Sequence, residues 1–272
     1  MQTTFEKNGF KKRLTSMLKV DFRRMFTTPL YYIMVGISLV IPVLILVMTS
    51  MMDGMVSVDP QTGAETVMEG FDNVWQIFGS LSSASAGGAS MAGGMSLTAM
   101  CNINMLYFGV AVFVCLFVAD DFRSGYAKNL FAVRAKKTEY ILSKTVVGFV
   151  GAASMLIAFF VGAMIGGGVA GLPFAMEGFT VGNFVACLLS KILLSSIFVA
   201  LPLLAAVIAK QKGWLSILLS LGFGMMFFAV IPMVTPLDAT ALHVVLCLVG
   251  GAGLCVGIGA ISTLVLKKTS LV

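Results

Sequence analysis

Six apolar stretches take up more than half of this 272-residue chain, at about 30–50, 99–119, 145–171, 182–208, 213–233 and 240–266. A helix needs about 20 apolar residues to cross roughly 30 Å of hydrocarbon at about 1.5 Å per residue. All six reach that length. Charged residues are only 11% of the chain, against about 25% in an average soluble domain. Six such helices buried in a soluble core would leave almost no polar surface to cover them. A membrane barrel fits no better, because the stretches are continuously apolar and show no period-2 alternation. The sequence therefore predicts an all-α polytopic membrane protein in which residues 1–272 form a single transmembrane domain.

The charges turn that profile into a topology. Residues 1–29 carry Lys7, Lys11, Lys12, Arg13, Lys19, Arg23 and Arg24. Residues 120–144 carry Arg123, Lys128, Arg134, Lys136, Lys137 and Lys144, and two further lysine pairs, Lys210 with Lys212 and Lys267 with Lys268, follow the fourth and sixth stretches. The connections 51–98, 172–181 and 234–239 have no Lys or Arg, but hold Asp53, Asp59, Glu65, Glu69, Asp72, Glu177 and Asp238. The positive-inside rule then predicts both termini in the cytoplasm. The net charge of +6 lies beside membrane boundaries, where it meets anionic headgroups. It forms no zinc-finger spacing, RNA-binding signature or soluble basic domain, so nucleic acid is not an expected partner. The first 28 residues are too polar for a cleavable signal peptide, and the first apolar stretch is long enough to remain as a span.

Within 9–27, Phe10, Leu14, Met17, Leu18, Phe22 and Met25 recur at helical spacing while the basic residues lie mostly off that stripe. This predicts an amphipathic elbow helix lying in the membrane interface. Thr27-Thr28-Pro29 ends it, since proline suits the first turn of the next helix but not the interior of the previous one. The outer connection 51–98 reads as an irregular acidic stretch over 51–70 and a flexible Ser/Gly/Ala stretch over 80–96. Between them lies an apolar patch of Phe71, Val74, Trp75, Ile77 and Phe78, expected as a short helix on the outer leaflet or on a partner subunit. In the inner connection 120–144, Phe122, Tyr126, Leu130 and Val133 share one face of a short helix. Thr138 is the expected cap of a second helix running through Tyr140 and Lys144 into the third span.

Glycine pairs 162/166, 167/171 and 253/257 are small-xxx-small spacings that let helix backbones approach, and Pro42, Pro202 and Pro232 are candidate kinks. The five cysteines all fall in apolar stretches, which suits packing better than a disulfide framework. No Gly-Lys pair exists to end a phosphate-cradling loop. With His243 as the only histidine, two-histidine metal sites are excluded by count. No metal, cofactor or catalytic residue is expected in the chain. Lys191 stands out, about 13 Å into the fourth span. A charge at that depth costs roughly 2.5–3.5 kcal/mol on insertion scales, so it should face the bundle interior or a watery cavity. Lys191, Asn102, Asn104 and Ser195 are the candidate substrate-pathway residues, with Ser190 and Ser196 as further nearby hydroxyls.

The layout resembles the permease subunit of a type-2 ABC exporter. The resemblance rests on Lys19-Val20-Asp21-Phe22-Arg23-Arg24-Met25-Phe26-Thr27-Thr28-Pro29 leading into span one. It rests also on Asp120-Asp121-Phe122-Arg123-Ser124-Gly125 with Arg134 through Lys144, which look like the surroundings of a coupling helix. Tyr126 stands where that family often has Thr. The resemblance implies six transmembrane helices, an elbow helix, and a cytoplasmic coupling helix that contacts a separate ATPase. Its coupling residues would be Asp120, Asp121, Phe122, Arg123, Gly125, Tyr126, Leu130, Val133 and Arg134. It implies a second permease chain, ATP and Mg bound by the partner ATPase rather than by this chain, and a bacterial plasma-membrane location. Small six-span members resemble exporters of antimicrobial peptides such as lantibiotics; others move drugs, lipids or polysaccharides. The acidic, lysine-free outer face would attract cationic peptides. A non-transporting scaffold or receptor component and a secondary transporter are the competing classes, the latter usually carrying inverted repeats and more ionisable residues in its spans.

Overall fold

The computed structural model describes residues 2–58, 65–67, 70–81, 101–133, 136–175, 178, 180–228 and 231–268. They are almost wholly helical: α1 (Gln2–Thr27), α2 (Pro29–Met52), α3 (Leu106–Arg123), α4 (Tyr126–Val133), α5 (Lys137–Ala170), α6 (Val181–Ala209), α7 (Gly213–Phe228), α8 (Ile231–Val234) and α9 (Ala241–Lys268). Two 3₁₀ turns, η1 (Val74–Phe78) and η2 (Ile103–Met105), and a hairpin of β1 (Val56–Val58) with β2 (Glu65–Val67) complete them. The hairpin is antiparallel, with Val56 opposite Val67, where the composition of 51–70 predicted irregular chain.

Among the described residues, five helical segments are long and apolar enough to cross a membrane: α2, η2 with α3, α5, α6 and α9. The chain is thus a multi-pass helical membrane protein. The stretch 213–233, expected as another span, is helical over Gly213–Phe228 and Ile231–Val234, and residues 229–230 lie outside the described ones. The expected boundary at 99–119 also shifts. Residues 99–100 lie outside the described ones, and α3 continues four residues past 119, so Asp120, Asp121 and Arg123 belong to a span's last turn.

The break between α1 and α2 falls where the sequence put it. Thr28 is extended (φ −85°, ψ 127°) and Pro29 opens α2. α5 begins earlier than expected, capped at Lys136, so Thr138 lies inside it and caps nothing. Central α5 and α6 gather the rest: α2 and α1 pack along α5, and α9, α3 and α7 along α6. α2 meets α5 at Gly162, where an added Cβ would lie 2.0 Å from the Leu39 carbonyl oxygen, and at Gly166, 2.8 Å from the Val43 Cα. At Gly253 and Gly257 an added Cβ meets nothing within 4 Å, so that pair faces outward. Around it α9 exposes Leu242, Val245, Val249 and Val256, as α2 exposes Tyr32, Ile33, Leu44 and Met48. Such apolar faces suit lipid.

The apolar patch of the first outer connection is core, not a rest on lipid or on a partner. Phe71, Val74, Trp75, Ile77 and Phe78 are all buried. Asn73 caps η1 by accepting from the Trp75 and Gln76 amides. The Trp75 ring lies 4.7 Å from Phe184 on α6, and Phe78 lies 6.2 Å from Phe159 on α5. The Trp75 indole donates to the Phe174 carbonyl at 3.2 Å. Packing these five large apolar side chains against α5 and α6 removes their surface from water, which favours their turning inward. Of the expected flexible stretch, 82–96 lies outside the described residues.

Candidate functional site: a buried charge cluster at the basic end

Helix α1 turns a different face to the bundle than apolar periodicity alone suggests. Among its described side chains Met17, Asp21 and Met25, four residues apart, are the most buried, while Phe10 stays 37% exposed. Asp21 is fully buried because Lys144 comes to it from α5: its Oδ1 accepts from the Lys144 Nζ at 2.9 Å, and its Oδ2 accepts from the Ser143 hydroxyl at 2.6 Å. The same ammonium lies 2.6 Å from Oδ2 of Asp121, at the end of α3. Asp121 also accepts from the Tyr140 hydroxyl at 2.8 Å and from the Arg24 guanidinium. Two carboxylates and two cations thus meet with little water, a neutral set in which each charge faces an opposite one. Buried charges persist only when so paired and hydrogen-bonded.

Aromatic rings close the set. The Phe117 ring lies 4.3 Å from the Lys144 ammonium, and the Tyr126 ring lies 4.2 Å from the Arg24 guanidinium, both within cation–π range. Burial would lower the Arg24 pKa, but Asp121 and its hydrogen bond outweigh that and hold it above the ordinary arginine value. Burial, then the carboxylates Asp21 and Asp121, raise the Tyr126 phenol, so it remains a neutral hydroxyl. Beside the cluster, Glu139 is buried against Arg13 at 3.0 Å. Exposed Asp120 reaches Arg24 at 3.3 Å.

The helix that the cluster supports is α4, eight residues long. It is separate from α3: Ser124 and Gly125 intervene, with Gly125 at φ 74°, a left-handed conformation that glycine adopts without strain. Phe122 therefore lies in the last turn of α3 and does not share a helix with Tyr126 and Leu130, as its spacing predicted. Even so, Phe122 and Phe131 both meet the Tyr140 ring edge-on, at 6.4 and 5.3 Å, and Leu130 packs against the core. Val133 is the last residue of α4. Arg134 lies outside the described residues.

Lys191 occupies a second polar site about 15 Å along α6. It is fully buried, facing the bundle interior as its depth required. Its ammonium donates to Asn104 Oδ1 at 3.0 Å and to Thr235 Oγ1 at 2.9 Å. Tyr107 donates to its carbonyl at 2.8 Å. Both partners of the ammonium come from non-helical breaks, η2 ahead of α3 and the end of α8, which dip to its depth. Such backbone is tolerated there because protein surrounds it. Asn102 caps η2 through the Asn104 amide at 3.0 Å. Ser195 donates only to its own helix, at the Ile192 carbonyl, so it does not join Lys191.

Because both acceptors of Lys191 are neutral, losing either leaves a charge under-solvated. Asn104→Leu removes a hydrogen bond to a charged group, worth about 1.5–3 kcal/mol. It should lower the melting temperature of the detergent-solubilised protein by about 5 °C. Adding Lys191→Met should recover most of that loss, and a double variant melting no higher than Asn104→Leu would show that the two groups are not coupled.

Asp21, Arg24, Lys144 and Glu139 were not singled out by sequence pattern as one site. The one local signal was an acid between Met17 and Met25 at helical spacing. No protein-family model, curated protein or solved structure matches this chain.

Proposed function

We propose that this chain is the membrane permease subunit of an ATP-driven ABC exporter, working as a pair with separate cytoplasmic ATPase subunits. Its cargo would be hydrophobic or amphipathic, an antimicrobial peptide being the leading class, moved outward across a bacterial plasma membrane. The observation that carries the reading is the seating of α4. This short helix projects between two spans at the basic end and is joined through Tyr126, Phe131 and Tyr140 to a charge cluster uniting α1, α3 and α5. A push on α4 would reach three helices at once, through packed rigid contacts. The Lys/Arg-rich connections support a cytoplasmic position for that end and both termini by the positive-inside rule, where ATP is available. α1, broken from α2 at Thr28, serves as the elbow.

The test is co-purification. A tagged full-length chain should bring down an ATP-binding protein identifiable by mass spectrometry. Lys128 and Arg123 are exposed near α4, so reversing both to Glu should spare the fold and reduce ATPase recovery more than about tenfold through like-charge repulsion. Recovery of no nucleotide-binding chain with the unaltered protein would defeat the reading.

A further inference from the structure

We propose that the recess between the end of α3, the start of α4 and the α6–α7 turn binds the phosphate headgroup of an anionic phospholipid. The proposal needs the apolar helices to be spans but is independent of any ATPase partner. The recess has a volume of about 440 Å³, and Arg123, Lys128, Lys210 and Lys212 line it without an acidic residue. Neighbouring cations of the charge cluster have carboxylates: Arg13 faces Glu139, Arg24 faces Asp121, and Lys144 faces both Asp21 and Asp121. Among the described residues, Arg123, Lys128 and Lys212 have no ion pair. Asp120 and Asp121, the two acids just before Arg123, are both engaged by Arg24. Arg123, Lys128 and Lys212, three cations without an ion pair on one concavity, create a positive potential that favours an anion.

The turn holds one of these cations at a backbone cost. Lys210 has φ 53°, a region that residues other than glycine rarely enter because Cβ crowds the following carbonyl. Its amide bonds to the Ala206 carbonyl at 2.8 Å, and the Lys212 amide to the Ala209 carbonyl at 3.2 Å. Strained residues that persist tend to mark functional positions, and here the strained residue contributes charge to the recess.

The surroundings choose a lipid over a free anion. α7 starts at the recess and presents Trp214, 67% exposed, and Leu218, 61% exposed, one turn apart. Trp at a span's end sits at headgroup level. An anionic head in the recess would leave its acyl chains along this apolar ladder, the chemistry of basic pockets between spans that hold acidic lipid heads.

Trp214 is the reporter. The chain has two tryptophans, so Trp75→Phe leaves Trp214 alone. The full chain in phosphatidylcholine vesicles is titrated with chain-brominated phosphatidylglycerol or chain-brominated phosphatidylcholine, and Trp214 quenching is read. Phosphatidylglycerol should quench at about a tenfold lower mole fraction, and Lys210→Gln with Lys212→Gln should erase the preference. Equal quenching by the two lipids, or a preference surviving in the double variant, overturns the proposal. Loss of the preference in millimolar inorganic phosphate reassigns the recess to a free anion, and its loss to soluble polyglutamate reassigns it to an acidic protein partner; both overturn the lipid. If Trp75→Phe does not fold, native mass spectrometry of the unaltered chain replaces it, counting phosphatidylglycerol retained with and without the two lysine changes.

Discussion

Lys144→Met is expected to be among the most damaging single changes in this protein, lowering its melting temperature in detergent by on the order of 10 °C. The Lys144 Nζ lies within hydrogen-bond reach of Asp21 and Asp121, and all three side chains are about 1% exposed or less. Removing one partner of a buried ion pair costs about 3–5 kcal/mol, because the remaining charge stays desolvated. The two carboxylates would not suffer equally. Asp121 keeps Arg24 and Tyr140, whereas Asp21 keeps only the Ser143 hydroxyl. The second change Asp21→Asn should therefore restore a large part of the loss, since an amide can still accept from Ser143. Arg13→Met, whose side chain is 39% exposed, should cost less because solvent screens that pair. Fluorescence-detected size-exclusion melting separates these variants. A Lys144→Met protein that melts with the unaltered one would mean that the cluster does not hold the basic end together.

The sequence disclosed what is local and left unresolved what is distant. The Thr28–Pro29 break was legible because proline's ring geometry acts within one turn. A helix near Tyr126–Val133 was legible from the spacing of its apolar residues, but its first turn was misplaced: the left-handed Gly125 that parts it from Phe122 interrupts a pattern that looks continuous. The burial of Lys191 followed from the cost of a charge at its depth. Its acceptors did not, because Asn104 and Thr235 lie 87 and 44 residues away in the chain. The charge cluster was hidden for the same reason. Asp21 and Lys144 are 123 residues apart, and a search for apolar periodicity discards a carboxylate on the buried face. The patch around Trp75 was read outward because a single sequence cannot tell an apolar side chain that covers a leaflet from one that fills a gap between Phe159 and Phe184.

Gly162→Ala tests the other joint of the bundle, the crossing of α2 over α5. An alanine Cβ there would lie 2.0 Å from the Leu39 carbonyl oxygen and 2.8 Å from Pro42 Cγ. Neither obstacle is the end of a flexible side chain, so a rotamer change cannot relieve the overlap and the helices must part. Overpacking of this kind costs about 3 kcal/mol, and the separation would also loosen Gly166 from Val43, one turn along the same seam. A fall in melting temperature of about 10 °C is expected. Gly253→Ala supplies the matched control, because the same added methyl on α9 meets nothing within 4 Å. There only helix propensity acts, which favours alanine over glycine by about 1 kcal/mol, so the control should melt at or slightly above the unaltered protein. The two glycines are indistinguishable by spacing in the sequence, each opening a small-xxx-small pair, and they differ only in what stands opposite. Equal melting of the two variants would mean that α2 and α5 do not touch backbone to backbone. A selective loss in Gly162→Ala would establish this crossing as the seam that holds the first span to the rest of the bundle.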